Sequence, residues 1–257
     1  MTNNFRDRLK TPGPLLGSLI KTPAHQNIEV ASLAGLDFVA IDAEHAPFSV
    51  NALDLCLLSC AVGGIPGLVR IPDASPVSAS QALDLGAAGI IFPHVTSRSE
   101  AEAIVAATRY RGGNRGFSNS SRAGSYGRTS LAQHRETSDR SVAVIAQLED
   151  PEAVDRVDEI LSVSGIDAVL IGRADLAVSY GVDSIENIEV KRAVRRILDF
   201  AHRSGVPCGI FTNSASEARD FYLEGAQFAI VGSDQSTLLN AWTSIAITGH
   251  STESLKT

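Results

Sequence analysis

Eight short apolar runs, separated by segments with helical character, constrain the fold of this chain more than any other feature. Most runs are continuously apolar, which is expected of strands in a sheet covered on both faces. We expect strands at LLGSLI (15–20), FVAI (38–41), GLVRI (67–71), GIIFPHV (89–95), VAVIAQLE (142–149), AVLIG (168–172), CGIFT (208–212) and FAIVG (228–232).

Helix signals occupy the segments between these strands. In DPEAVDRVDEIL, Asp150 is a candidate N-cap and Pro151 suits the first helical position. Strands alternating with helices are typical of a (β/α)8 barrel, although a doubly wound open sheet would give a similar string. With 257 residues, 44% of them hydrophobic, the chain can form one large core. We therefore predict an α/β fold, a (β/α)8 TIM barrel, as a single domain over residues 1–257.

Charge and composition restrict the class of partner. The formal net charge is −7, so we expect no nucleic-acid or membrane surface, because both need clustered Lys and Arg. The polar N-terminus and the lack of a long apolar segment favour a cytoplasmic protein. Cys56, Cys60 and Cys208 have no CxxC spacing and are expected to be buried free thiols. A small molecule is the expected partner.

One long polar connection interrupts the alternation of strands and helices. The segment from Arg109 to Arg128 contains five arginines together with many Gly and Ser residues. Long loops in compact domains are commonly functional. Its arginines could bind an anionic substrate or a neighbouring subunit's acids, and a solvated or interface loop explains any one of them equally well.

Polar residues at the strand ends point to chemistry, because active sites of (β/α)8 barrels lie at the C-terminal ends of the strands. Glu149 and Asp175 follow neighbouring strands, and two adjacent carboxylates either share a proton or bind a cation. Oxygen ligands favour a hard divalent ion such as Mg²⁺ or Mn²⁺. Taken singly, a helix N-terminal acid and an N-cap would explain these two residues.

Three further rim residues carry alternative interpretations. Arg70 ends an apolar strand and must face a carboxylate or an anionic ligand, since an unpaired buried guanidinium is costly. His45 lies three residues after Asp42, an arrangement in which the aspartate can orient the ring of a general base. Lys21 is the only lysine placed for imine chemistry, for which the sequence offers fewer supporting residues than for metal chemistry.

Six ordered motifs identify a family. DAEHAP, LVRIPD, QALDLGAAGIIFP, ATRYRGGNRG, AQLED and IGRADL together resemble the HpcH/HpaI aldolases, the metal-dependent class II pyruvate aldolases that include 2,4-dihydroxyhept-2-ene-1,7-dioate aldolase. The resemblance covers nearly the whole chain. It implies a homohexamer, a trimer of dimers, in which C-terminal helices are exchanged between partners.

The resemblance also implies residue roles. Glu149 and Asp175 match metal ligands for Mg²⁺, Mn²⁺ or Co²⁺, and Gln147 matches a residue that contacts metal-bound water or substrate. Arg70 matches the residue that stabilises the enolate oxygen, and His45 matches the base, oriented by Asp42. Glu44 is expected only to shape the turn. The remaining matches are Asp84, as an acid reaching a neighbouring subunit's site, and Gly172, Ala174 and Asp175, as the backbone that receives the substrate carboxylate.

Two departures concern the aldehyde side of the site. The family's GPxDL motif reads GRADL here, so Arg173 replaces a proline; it could bind a second carboxylate or a hydroxylated aldehyde, or pair with an acid across an interface. His94 replaces an apolar residue and could line the acceptor pocket.

The implied reaction is the cleavage of 4-hydroxy-2-oxo acids to pyruvate, or to a related 2-oxo acid such as hydroxypyruvate, and an aldehyde, through an enolate. An oxaloacetate-type decarboxylase would use the same enolate. A non-catalytic carboxylate-binding barrel would be expected to lack part of this residue set.

Overall fold

Eight parallel strands close into a barrel in the computed structural model, which describes residues 4–11 and 13–250. Each strand pairs with the next, and the eighth pairs with the first. The strands are β1 (Leu15–Ile20), β2 (Phe38–Asp42), β3 (Gly67–Arg70), β4 (Gly89–Phe92), β5 (Ala143–Leu148), β6 (Ala168–Ile171), β7 (Cys208–Thr212) and β8 (Phe228–Ser233). The (β/α)8 prediction and all eight predicted strands are confirmed.

Helices form the outer layer of the barrel. They are α1 (Phe5–Arg8), α2 (His25–Leu33), α3 (Val50–Gly63), α4 (Pro76–Asp84), α5 (Arg98–Thr108), α6 (Leu131–Ser141), α7 (Pro151–Asp155), α8 (Val157–Leu161), α9 (Arg173–Ser179), α10 (Ile188–Ser204), α11 (Ala215–Leu223) and α12 (Asp234–His250). The helix expected after Asp150 is divided into α7 and α8, because Arg156 has a non-helical φ of −105° and ψ of 21°. The first three residues, residue 12 and residues 251–257 of the predicted domain lie outside the described residues.

Aromatic rings fill the N-terminal half of the barrel. Phe38 and Phe228, at the first positions of β2 and β8, lie with ring centroids 6.1 Å apart, and Phe5 of α1 packs 5.1 Å from Phe38. Gly209 provides the space for this packing, since a Cβ there would lie 2.1 Å from the Phe228 ring. The barrel is therefore plugged at this end, and a substrate cavity can form only at the opposite rim.

Strand register determines which polar side chains meet at that rim. Asp42 of β2 pairs in register with Arg70 of β3. Strand β4 ends at Phe92, earlier than predicted, because Pro93 has no N–H for the ladder and His94 adopts a left-handed φ of 53°. Residues beyond the strand ends are no longer held in the hydrogen-bond ladder of the sheet, so their side chains can point into the rim.

The long polar connection between α5 and α6 is anchored within the chain. It contains a 3₁₀ helix, Arg122–Gly127, and is otherwise irregular. Three of its arginines form internal ion pairs: Arg109 with Asp167 at 3.0 Å, Arg115 with Asp84 at 2.9 Å and Arg122 with Asp54 at 2.7 Å. These three arginines hold the loop against the barrel.

Cys56, Cys60 and Cys208 are buried free thiols, as predicted. Burial raises the pKa of Cys56 to about 11 and that of Cys60 to about 12, which makes both thiols poor nucleophiles.

Within the described part of the chain, no helix has the length and apolar character needed to cross a bilayer.

Candidate active site

A cavity of about 330 Å³ opens at the C-terminal rim of the barrel. This volume is in the range of small-molecule sites. Six of the predicted site residues line it: His45, Arg70, Gly172, Arg173, Ala174 and Asp175. The remaining lining comes from Leu19, Ile185, Phe211, Thr212 and Asn213.

Arg70 is held in one wall of this cavity by two carboxylates. Its Nη2 lies 2.9 Å from Asp42 Oδ2, and its Nε donates to Asp42 Oδ1 at 3.1 Å and lies 3.2 Å from Glu44 Oε2. The Arg70 residue is only 6% exposed, and its guanidinium carbon lies 5.6 Å from the centre of the Phe211 ring. The expectation that Arg70 faces a carboxylate is confirmed.

Asp42 is fully buried yet ionised. Burial alone would raise its pKa, but the hydrogen bond and charge of Arg70, the backbone N–H of His45 and the charge of Lys21 hold the Asp42 pKa below its usual range. The Lys21 ammonium lies 3.4 Å from Asp42 Oδ2. Lys21, the candidate for imine chemistry, therefore forms an ion pair with this carboxylate.

His45 contacts Asp42 through its backbone N–H. Asp42 Oδ1 accepts hydrogen bonds from the backbone N–H groups of Glu44, at 3.2 Å, and His45, at 3.1 Å. Asp42 therefore fixes the turn and bonds the backbone of His45 rather than its ring; its predicted role in orienting the ring stays a prediction. The ring Nε2 instead lies 3.7 Å from Glu44 Oε2, and 57% of the His45 side chain is exposed. Glu44, expected only to shape the turn, is the carboxylate that meets both His45 and Arg70.

Glu149 forms the second charged centre. It is 1% exposed; its Oε1 accepts from the backbone N–H of His94 at 3.0 Å, and its Oε2 accepts from Gln147 Nε2. Burial and the negative charge of Asp175, opposed by the hydrogen bonds from Gln147 and His94, raise the pKa of Glu149 to about 7. The charge of Asp175 thus acts on Glu149, and the role of the two carboxylates as metal ligands stays a prediction.

Gly172 provides the space that Glu149 occupies. A Cβ at position 172 would lie 2.5 Å from Glu149 Oε2 and 2.7 Å from Glu149 Cβ. The Gly172 N–H donates to the Leu148 carbonyl at 3.1 Å and so already has an acceptor; its predicted role in receiving a substrate carboxylate stays a prediction. Ala174 and Asp175 lie in the first turn of α9, where backbone N–H groups have no acceptor within the helix.

His94 is fixed between two carboxylates. Its Nδ1 lies 3.0 Å from Asp150 Oδ2 and 3.6 Å from Glu149 Oε1. Burial opposes charging of the ring, but these carboxylates raise the pKa of His94. Asp150 occupies the predicted N-cap position of α7 without capping it, because its side chain bonds His94 instead.

Arg173 and Asp84 each form an ion pair within this chain. Arg173 is 6% exposed, donates from Nη2 to the Phe211 carbonyl at 2.9 Å and lies 2.7 Å from Glu217 Oε1. It therefore pairs with an acid of its own chain, rather than with one across an interface. Asp84, at the end of α4, does not line the cavity and pairs with Arg115.

The end of β7 supplies cavity residues that the sequence did not assign. Thr212 is 4% exposed, and its Oγ1 has no hydrogen-bond partner among the described residues. In the sequence, the only indication of a site role for Thr212 was its position as the polar residue that ends a predicted strand. Phe211 gave no signal, because an aromatic residue in a strand is ordinarily part of the core.

The donor set around Glu149 is suited to a hard cation. Gln147 Oε1 is buried without a hydrogen-bond partner among the described residues, and Glu149 and Asp175 supply carboxylate oxygens. Across residues 4–11 and 13–250, no cluster of three or more His, Cys, Asp or Glu is arranged to hold a metal. Any ion held here would complete its coordination with water or substrate oxygens, as Mg²⁺ commonly does.

Comparisons with known proteins agree with this architecture. Residues 20–241 match the sequence model of the HpcH/HpaI aldolase/citrate lyase family. The chain is 33% identical over 250 residues to 5-keto-4-deoxy-D-glucarate aldolase of Shigella dysenteriae serotype 1, a match that covers 96% of each protein.

Solved structures of similar proteins also superpose on this chain. An HpcH/HpaI aldolase/citrate lyase family protein from Burkholderia cenocepacia J2315 superposes with a TM-score of 0.92 and 31% identity, over 97% of this chain and 100% of that one. Citrate synthase SbnG superposes with a TM-score of 0.87 and 27% identity, over 96% and 97% of the two chains. This chain belongs to the HpcH/HpaI aldolase/citrate lyase family and is an enzyme of that aldolase and lyase class.

Proposed function

We propose that the protein catalyses reversible aldol cleavage of a 4-hydroxy-2-oxo acid to pyruvate, or to a related 2-oxo acid such as hydroxypyruvate, and an aldehyde. One observation carries the proposal. A single rim cavity brings the Arg70 guanidinium and the His45 ring together with Asp175, whose charge acts on the buried Glu149. Aldol chemistry of a 2-oxo acid requires these three functions: charge stabilisation, proton transfer and electron withdrawal.

The proposal includes a divalent cation, Mg²⁺, Mn²⁺ or Co²⁺, held by Glu149 and Asp175. The unpartnered Gln147 Oε1 supports such a site, and Gly172 leaves the room that the Glu149 side chain occupies there. When bound, the cation would act as a Lewis acid on the carbonyl group of the 2-oxo acid.

Arg70 is proposed to stabilise the negative oxygen that develops as the 2-oxo acid becomes an enolate. Its position is fixed before substrate binds, because Asp42 and Glu44 bind the guanidinium at 2.9 and 3.2 Å. A fixed cation in a partly buried wall stabilises developing charge more effectively than one that must reorganise.

His45 is proposed to transfer the proton, either at the methyl carbon of pyruvate or at the hydroxyl of the aldol. Its ring lies at the cavity and is half exposed, so it can exchange protons with solvent. Glu44 Oε2 lies 3.7 Å from the ring Nε2 and is the carboxylate nearest to it in this wall. The carboxylate of the substrate is proposed to bind at the N–H groups of Ala174 and Asp175.

The proposal extends to assembly as a homohexamer, a trimer of dimers with α12 exchanged between partners. Helix α12 has no buried residue among those described, and Leu239, Trp242 and Ile245 are 64%, 64% and 68% exposed. Apolar surface of this kind is typical of a subunit interface. Asp84 is proposed to serve a neighbouring subunit's site. Light scattering of Trp242→Glu should give a smaller assembly than the unsubstituted protein.

Deuterium exchange into the methyl group of pyruvate, followed by NMR, tests the reaction without any choice of aldehyde. We expect exchange that stops in metal-stripped protein and returns with Mg²⁺, Mn²⁺ or Co²⁺. Exchange that persists in a chelator would favour an imine at Lys21. Comparing the turnover of oxaloacetate with that of hydroxy-oxo acids separates aldolase from decarboxylase, and no exchange under any condition would contradict the proposal.

A further inference from the structure

Arg173 connects three elements around the cavity. It begins α9, and its Nε and Nη2 donate to the Phe211 carbonyl of β7 at 3.2 and 2.9 Å. Nη2 also lies 2.7 Å from Glu217 Oε1 in the first turn of α11, and the guanidinium carbon lies 5.0 Å from the centre of the Phe221 ring. One side chain thus joins α9, β7 and α11.

Glu217 extends this connection into the turn between β7 and α11. Its Oε2 accepts from the backbone N–H of Asn213 at 2.7 Å, and its own N–H donates to Ser214 Oγ at 3.1 Å. This arrangement is a variant of the capping box, which fixes the start of a helix. The carboxylate that neutralises Arg173 therefore also holds the turn that carries Asn213.

The connected segments form neighbouring parts of the cavity wall, because they follow the paired strands β6 and β7. Phe211, Thr212 and Asn213 come from the end of β7, and Ala174 and Asp175 come from the first turn of α9. The Phe211 ring also lies against Arg70. The distance between these two wall segments therefore depends on the bridge that Arg173 forms between them.

We infer that Arg173 is a positioning residue that, together with Glu217, sets the width of the cavity between the end of β7 and the start of α9 and so the enzyme's affinity for its aldehyde. This inference rests on the proposed aldolase function. Arg173 does not itself bind the aldehyde, because its guanidinium is 6% exposed and already holds a carboxylate and a carbonyl. A carboxylated aldehyde would have to displace Glu217 to reach it.

A nearby ion pair supplies a matched control. Lys191 Nζ lies 2.8 Å from Glu186 Oε2, and both side chains are more than half exposed. Both residues line a second cavity of about 360 Å³, on the other side of Arg173, and neither lines the first. Glu186→Gln therefore removes an acid close to Arg173 without touching the wall segments.

The experiment compares Arg173→Met, Glu217→Gln, the double variant and Glu186→Gln in the metal-loaded protein. Glutamine at position 217 can still accept from the Asn213 N–H, so this variant weakens the bridge and retains the helix start. The KM and kcat for condensation with pyruvate are measured for glyoxylate and glycolaldehyde, two-carbon aldehydes with and without a carboxylate. Pyruvate deuterium exchange is measured in parallel for the unsubstituted protein, Glu217→Gln and Glu186→Gln.

We expect Arg173→Met and Glu217→Gln each to raise the KM of both aldehydes by a similar factor, about tenfold, with less effect on kcat. The KM values of the double variant should be no higher than those of Arg173→Met, because the effects of coupled residues are not additive. Glu217→Gln should retain pyruvate exchange, and Glu186→Gln should behave like the unsubstituted protein.

A rise confined to glyoxylate in Arg173→Met, with no change in Glu217→Gln, would overturn the inference in favour of direct binding. An unchanged aldehyde KM in Glu217→Gln would also overturn it, even if Arg173→Met does not fold. Absence of exchange in the unsubstituted protein would overturn the proposed function and this inference together.

Discussion

Replacing Glu149 by glutamine should stabilise the metal-free protein in alkaline solution. Burial and the charge of Asp175 raise the Glu149 pKa from 4.5 to about 7. The folded state therefore binds more protons than the unfolded state between these two values, and stability falls as pH rises through this range. Above pH 7 the ionised carboxylate remains as an uncompensated cost that glutamine does not have.

The magnitude follows from the pKa and the hydrogen bonds. One pKa unit corresponds to about 1.4 kcal/mol, so ionised Glu149 costs about 3 kcal/mol at pH 8.5. Glutamine offers one oxygen to the two donors, Gln147 Nε2 and the His94 N–H, and so loses about 1 kcal/mol of hydrogen bonding. The net gain of about 2 kcal/mol corresponds to a rise in Tm of roughly 4–8 °C for a chain of this size.

The assay is thermal unfolding in EDTA at pH 5 and pH 8.5. The gain for Glu149→Gln should be present at pH 8.5 and absent at pH 5, where the folded carboxyl is protonated. Glu152→Gln, which changes an exposed acid of α7, serves as the control. Adding Mn²⁺ at 100 times its Kd should then stabilise the unsubstituted protein by about 2.7 kcal/mol and Glu149→Gln by much less. A variant that is no more stable than the parent at pH 8.5 would refute the reasoning.

Three further substitutions test the remaining parts of the site. Arg70→Met leaves the buried Asp42 with Lys21 as its remaining cationic partner, and should lower the free energy of unfolding by about 3–5 kcal/mol in a denaturant titration and abolish pyruvate exchange. Gly172→Ala places a methyl group against Glu149, and should weaken metal binding by about 10–100-fold in calorimetry; unchanged affinity would contradict the proposed site. His45→Gln should slow exchange by about 10²–10⁴-fold with little change in Tm, because most of the side chain is exposed; a large loss of Tm would indicate a structural role.

Strand positions were predictable because a barrel strand is buried on both faces. Residues 38–42 and 143–148 are completely buried, so each strand is apolar except for one polar residue near its C-terminal end, Asp42 or Gln147. The break of the helix at Arg156 was not predictable, because it depends on how α7 and α8 pack and no Pro or Gly marks it.

Ion pairs were predictable only where strand order brings the partners together. Asp42 and Arg70 end consecutive strands and pair in register, so a barrel alone places them side by side. Residues distant in sequence gave no such signal: His94 turns towards Asp150 because of a left-handed backbone. Similarly, position 172 requires glycine because the Glu149 side chain occupies the space that a Cβ would take, and no sequence pattern near residue 172 indicates this.

Charged side chains form two groups at the rim, and the two groups differ in their balance of acids and cations. On the β2–β3 side, two acids face two cations, so this group is neutral without any ligand: Asp42, Glu44, Arg70 and Lys21. The β5–β6 side carries three carboxylates, Glu149, Asp150 and Asp175. Among the described residues, His94 is the one cationic side chain that pairs with Glu149 and Asp150, since Arg173 pairs with Glu217. A divalent cation would relieve repulsion only on the second side. In the proposed mechanism, Arg70 would therefore act on the enolate oxygen beside that centre without competing for the metal.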